Sequence, residues 1–146
     1  MRWPLVMSAL CAAAVAVAVA SASAAQPPDP CVLVTTVDAS TALNANPPKA
    51  APKTVGTTRT CTYKVGKKTV TVTTQKVATK GAFDRSAKAI KGVVVPMLGT
   101  GADAYSANGT TILAWKNGTG ITIAFTGFQP FVSIQQALVK TVTGRL

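Results

Sequence analysis

Enzyme chemistry in this 146-residue chain would have to run on very few groups, because it contains no histidine, no glutamate and only four aspartates: Asp29, Asp38, Asp84 and Asp103. Without imidazole there is no Ser-His-Asp arrangement and no histidine-based metal site, and without glutamate there is no paired-glutamate acid and base. Asp38 and Asp84 read as a helix-capping and a surface-pair residue. Asp29, beside a cysteine, and Asp103, in a glycine-rich turn, are then the remaining pair for a carboxylate dyad, and turn chemistry accounts for both. Ser86 is followed by lysine at two positions on, Lys88, so the Ser-x-x-Lys spacing of an acylation pair is missing. Gly99 to Ala104 matches G-x-G-x-x-A, but Pro96 interrupts the preceding strand and a hairpin rather than a helix follows, so a tight turn is expected there. These absences lead to the expectation of a non-enzymatic protein with no cofactor and no metal.

The cysteines depend on what happens at the N-terminus. Arg2 precedes an apolar stretch from Leu5 to Ala20 and then Ser-Ala-Ser-Ala-Ala ending at Ala25, the pattern of a secretory signal peptide over residues 1–25. Cleavage there leaves a single domain, 26–146, of suitable size for one core, and no transmembrane segment after it; retention of the signal as an anchor is the alternative. Cys11 leaves with the signal. Cys31 and Cys61 remain as a pair too far apart in sequence for a C-x-x-C redox dithiol, so a structural disulfide is expected in an oxidising compartment. By the loop-entropy model such a closure contributes roughly 3 to 4 kcal/mol.

Charge is the other strong signal. From Lys49 to Lys91 the chain carries eleven basic residues against one acid, Asp84, while the segments on either side are close to neutral. That asymmetry favours contact with anionic polymers or surfaces, with Lys64, Lys67, Lys68, Lys80, Lys88 and Lys91 as the candidate anion-binding surface. The segment's only aromatics, Tyr63 and Phe83, are patterned toward the core, so no platform for stacking bases is visible and specific nucleic-acid binding is disfavoured.

The elements that must carry these residues follow from periodicity. Thr35 and Asp38 form a T-x-x-D variant of the capping box ahead of Thr36 to Leu43, and Asn44 takes the left-handed stop position, giving a short helix with Val37 and Leu43 near one face. Gln26 to Pro30 is an extended lead-in, and Ala45 to Thr58 is a loop. Thr60–Val65 and Lys68–Thr74 flank Gly66-Lys67, a two-residue turn that pairs Tyr63 with Val70 and Cys61 with Val72 and turns the threonines to the other face. Ala82 to Lys91 repeats Phe83, Ala87 and Ile90 at helical spacing, with Lys80, Asp84, Lys88 and Lys91 opposite and Gly92 as the stop. A second hairpin spans Thr110 to Thr126. A two-residue Asn117-Gly118 turn puts Ile112 on the face of Ile123; a three-residue loop puts Leu113 and Trp115 there instead. Pro130 opens a final helix with Phe131, Ile134, Leu138 and Val142 at near-helical spacing. The order helix, hairpin, helix, hairpin, helix predicts an α+β domain: an antiparallel sheet covered on one face by helices.

Asp29-Pro30-Cys31 before a short helix, Cys61-Thr62-Tyr63 opening a strand, the Leu98 to Tyr105 turn and the closing Gly144-Arg145-Leu146 resemble a family of small exported bacterial proteins and lipoproteins built on a domain of unknown function. The resemblance implies a Cys31–Cys61 bridge and an envelope location, and it brings no activity. Asn44 stands where that pattern has a glycine, and no lipidation cysteine is present. The expected function is therefore a non-enzymatic exported protein, periplasmic, cell-envelope or secreted, whose basic surface binds an anionic envelope polymer, lipid headgroups or an acidic protein. The alternatives are an interaction or inhibitor-like module using an exposed Trp115, and a small-ligand carrier with a pocket between sheet and helices.

Overall fold

A computed structural model describes residues 25–94 and 103–146. The segment up to residue 24, where a signal peptide is expected, Cys11 with it, and the glycine-rich stretch over 95–102 lie outside the described residues.

The chain enters through Asp29, whose carboxylate accepts from the Cys31 amide and caps a single turn, α1 (Pro30–Leu33). The prolines that make the lead-in extended also make this turn possible, since Pro30 has no amide to leave unsatisfied at the first helical position. Thr35 and Asp38 close a reciprocal capping box on α2 (Thr36–Leu43), and Asn44 ends it at φ 51°. Leu43 is buried but Val37 is 73 % exposed. Six residues at 100° each carry the two side chains to different faces, so the buried set is Ala39, Ala42 and Leu43.

Seven strands form one antiparallel sheet among the described residues. In chain order they are β1 (Lys53–Val55), β2 (Thr58–Val65), β3 (Lys68–Lys76), β4 (Val93–Val94), β5 (Asp103–Ala107), β6 (Thr111–Lys116) and β7 (Thr119–Thr126), and in space they run β1-β2-β3-β7-β6-β5-β4. The β2–β3 register is the expected one, Tyr63 opposite Val70 and Cys61 opposite Val72, with Gly66 at φ 58° in the turn. The β6–β7 hairpin takes the Asn117-Gly118 turn: Ile112 faces Ile123, and both turn residues have positive φ. Strand β1 lies where a loop is expected. Its signal is Lys53-Thr54-Val55 before Gly56-Thr57, a two-residue turn of the same kind as Gly66-Lys67.

Two more helices follow the central strands: α3 (Lys80–Ala89), capped by the Thr79 hydroxyl, and α4 (Val132–Gly144). Helices α1, α2 and α4 cover the face that carries Cys61, Tyr63, Val70, Val72, Ile112, Ile121, Ile123 and Phe125, all buried. Helix α3 lies on the opposite face, where Phe83 meets Tyr105 at 5.7 Å between ring centroids and Asp84 accepts from the Tyr105 hydroxyl. The helices thus do not all share one side. The reason is register: Tyr105 and Leu113 alternate with the α4-facing Ser106 and Ile112, and their apolar surface needs a cover of its own. Ile90 is 40 % exposed at the end of α3, and Lys91, not Gly92, takes the left-handed conformation at φ 55°. Gly92 instead sits where an added Cβ would come within 3.0 Å of the Tyr105 Cβ. In α4 the inward side chains are Gln135, Leu138, Val139, Val142 and Thr143, whereas Phe131 is 79 % exposed just before the first turn.

The Cys31–Cys61 disulfide ties α1 to β2 with 5.3 Å between Cα atoms. Beside it the Tyr63 hydroxyl, in the core, donates to the Val34 carbonyl. Burial raises the Tyr63 phenol above its ordinary value, helped by the nearby Asp38 and Asp29 charges. None of the described helices is long and apolar enough to cross a membrane.

Candidate anion-binding surface

Three of the six candidate lysines gather at one hairpin tip. Lys64 projects from β2 on the face away from α1 and α2, Lys67 stands in the turn itself, and Lys68 opens β3. All three are exposed. Lys68 is partly committed: its ammonium approaches the Leu43 carbonyl at 3.5 Å and lies 5.6 Å from the centre of the Phe128 ring. The tip is braced from behind by Gly127, where an added Cβ would overlap the Lys67 carbonyl oxygen.

The other three ride on α3. Lys80 is held by Asp84 at 2.9 Å, one helical turn away, and so brings a neutralised charge. Lys88, in the last turn, also lies near Asp84, and Lys91 projects from the turn beyond it. Because α3 sits over β5 and β6, these lysines are separated from the hairpin tip by several strand spacings of roughly 4.8 Å each. One small anion cannot span that distance, whereas an extended polymer can.

The acidic residues explain where positive charge is left unbalanced. Asp29 is bonded to Arg59 at 3.0 Å, Asp38 to Arg145, and Asp84 to Lys80 and Tyr105. Burial by itself would raise the Asp38 carboxyl, but hydrogen bonds from Arg145 and from the backbone and hydroxyl of Thr35 outweigh it and hold the group below its ordinary 3.8. Asp84 is held low by its bonds from Lys80 and then Tyr105. Asp29 and Asp38 are on the helix-covered side, and between Asp38 and Asp84 the sequence has no acidic residue at all. The charged side chains of strands β1, β2 and β3 are therefore all cations. Lys53, on β1 opposite Thr60, belongs to this set and was missed because its strand reads as loop.

The alternative sites fare differently. Asp29 is occupied by Arg59 and the Cys31 amide, while Asp103 starts β5, four strand positions from the β2 that carries Arg59, so the two cannot form a dyad. Trp115 is half-buried, not exposed: its indole N–H donates to the Val77 carbonyl at 2.9 Å and pins the β3–α3 connection to the sheet. A cleft of about 200 Å³ does lie between α2 and α4, lined by Thr41, Ala42, Ile134, Ala137, Leu138 and the Asp38 side chain. It separates two helices rather than sheet and helix. Comparison with protein-family models, with curated proteins and with solved structures found no match.

Proposed function

We propose that this is a non-enzymatic exported protein of the cell envelope, which binds an anionic envelope polymer through the basic surface centred on the β2–β3 hairpin tip. One observation carries the reading: Lys53 on β1 and Lys64, Lys67 and Lys68 at the β2–β3 tip are exposed and lack carboxylate partners among the described residues, while the neighbouring acids are engaged by Arg59, Arg145 and Lys80. An uncompensated field of this kind attracts polyanions at long range and gives salt-sensitive binding with little dependence on any one lysine. The secretory pattern of residues 1–25 supports the location, as do the lone cysteine pair and the resemblance to exported bacterial proteins.

The test is a pull-down from the native envelope fraction at low and at high salt, using the parent and the Lys64→Gln, Lys67→Gln, Lys68→Gln, Lys88→Gln, Lys91→Gln variant. The parent should recover an anionic polymer at low salt only, and the variant should recover little. Equal recovery by both proteins contradicts the reading. The cleft between α2 and α4, with the exposed Phe131 and Val132 at the start of α4, supports a second reading as an interaction module. Recovery of a protein partner unaffected by salt would favour it.

A further inference from the structure

The sheet face opposite α1, α2 and α4 is only half covered. Helix α3 lies over β5 and β6, where the side chains beneath are Tyr105 and Leu113, and among the described residues no helix covers the same face of β2, β3 and the adjoining part of β7. At that boundary the composition changes. The next residues in the cross-strand rows are threonines: Thr60, Thr73 and Thr122 continue from Leu113, and Thr62 and Thr71 stand in the row beside them. Their spacing is about 4.8 Å across strands and about 6.8 Å along them. Thr60 and Thr73 hydroxyls are 3.3 Å apart, and no group among the described residues binds the hydroxyls of Thr62, Thr71 or Thr122. Lysines close the outer rim in register, Lys53 beside Thr60 and Lys64 beside Thr69.

We propose that this open threonine face is the docking surface for the polymer and that its occupant is a polyol-phosphate chain; the proposal rests on the anionic-polymer reading above. The face offers hydroxyl donors on the floor and ammonium groups at the edge, which matches phosphate oxygens on a hydroxylated chain. Strands β1, β2, β3 and β7 present no aromatic side chain on it, and Trp115, at its β6 border beside Thr122, is half-buried with its indole N–H held by the Val77 carbonyl. Sugar rings and nucleobases therefore find little to stack on, whereas a ring-free polyol needs no such platform. Its large apolar side chains are two isolated ones, Val55 at the end of edge strand β1 and the half-buried Val77 against Gly120, which argues against a lipid tail or an apolar protein surface.

Binding of poly(glycerol phosphate) by the full exported domain is the readout, with single-stranded DNA of equal charge and anionic phospholipid vesicles as the other arms. Thr62→Val, Thr71→Val and Thr122→Val together keep the β-branched shape and strand preference and remove only the hydroxyls. This variant should bind poly(glycerol phosphate) about tenfold more weakly with an unchanged salt slope, and the parent should prefer that polymer to DNA. Unchanged affinity, or equal affinity for DNA or vesicles, overturns the threonine proposal and leaves plain charge attraction standing; failure of every polyanion to bind overturns the underlying reading instead. Should the triple variant not fold, Thr71→Val alone makes the same distinction, with an expected loss of roughly twofold to threefold.

Discussion

On one face of the sheet Tyr63, Val70, Val72, Ile123 and Ile112 stand in register beneath α1, α2 and α4, while the same strands turn Thr62, Thr71, Thr73 and Thr122 outward on the other. The covered face is where order is concentrated: the disulfide, the Tyr63 bond to Val34, and the Asp29–Arg59 and Asp38–Arg145 pairs all tie the N- and C-terminal helical segments to the strands or to each other. The open face holds threonines and lysines with few protein partners. On the proposed reading, one alternation of residue types assigns stability to one side and recognition to the other, and substitutions on the two sides should separate those properties.

The largest effect is expected on the covered side. Replacing Cys31 and Cys61 together by serine should lower stability by about 3 to 4 kcal/mol, read as a fall in denaturant midpoint, without altering polyanion binding by the molecules that remain folded. A variant of unchanged stability would show that α1 is held by packing alone.

Two glycines near the hairpin tip sharpen the comparison. Gly127, at φ 80°, would bring a Cβ against the Lys67 backbone, so Gly127→Ala should cost about 3 kcal/mol through strain and overlap. Gly66, at φ 58°, has nothing within 4 Å of its added Cβ, so Gly66→Ala should cost only about 1 kcal/mol, from backbone conformation alone. Lys67→Ala, in the same turn, should leave stability nearly unchanged. Equal midpoints for the two alanine variants at glycine would mean that the turn after β7 does not lean on the hairpin.

The smallest effect is one of pH. The Asp38 carboxyl is held below its ordinary value in the folded protein, so its contribution is fully present above the unfolded value near 3.8 and is lost as pH falls through the lower folded one. Asp38→Asn should therefore flatten the acid limb of the stability profile below about pH 4 and change its slope little above pH 5. An acid limb as steep as the parent's would place the responsible carboxylate elsewhere.

How much of this was legible in the sequence follows from how local each signal is. The capping box at Thr35 and Asp38, the Gly66-Lys67 and Asn117-Gly118 turns, and the alternation around Tyr63 are settled by neighbours a few residues apart, and the structure follows them. The α+β class follows too, and so does the cysteine bridge. The side on which α3 packs was not legible, because it depends on the β5–β6 register bringing Tyr105 and Leu113 onto the face away from α4. Helical spacing also misled at Val37 and Phe131, where an apolar side chain matches the pattern but falls outside the contact between helices. For the candidate site, composition pointed to the basic segment, but only strand pairing separates the tip lysines from Lys80 on its Asp84 partner and adds Lys53.

The central claim is that the position of the charge matters, beyond its sum. It is tested most directly by two variants of equal net charge: Lys64→Gln, Lys67→Gln, Lys68→Gln at the hairpin tip, and Lys49→Gln, Lys76→Gln, Lys140→Gln at exposed positions elsewhere. Affinity for poly(glycerol phosphate) is measured against salt for both. The account predicts that the tip variant loses most of the binding and flattens the salt dependence by roughly 0.7 per lost contact, while the second variant keeps a slope close to the parent's. Equal losses in the two variants would contradict it.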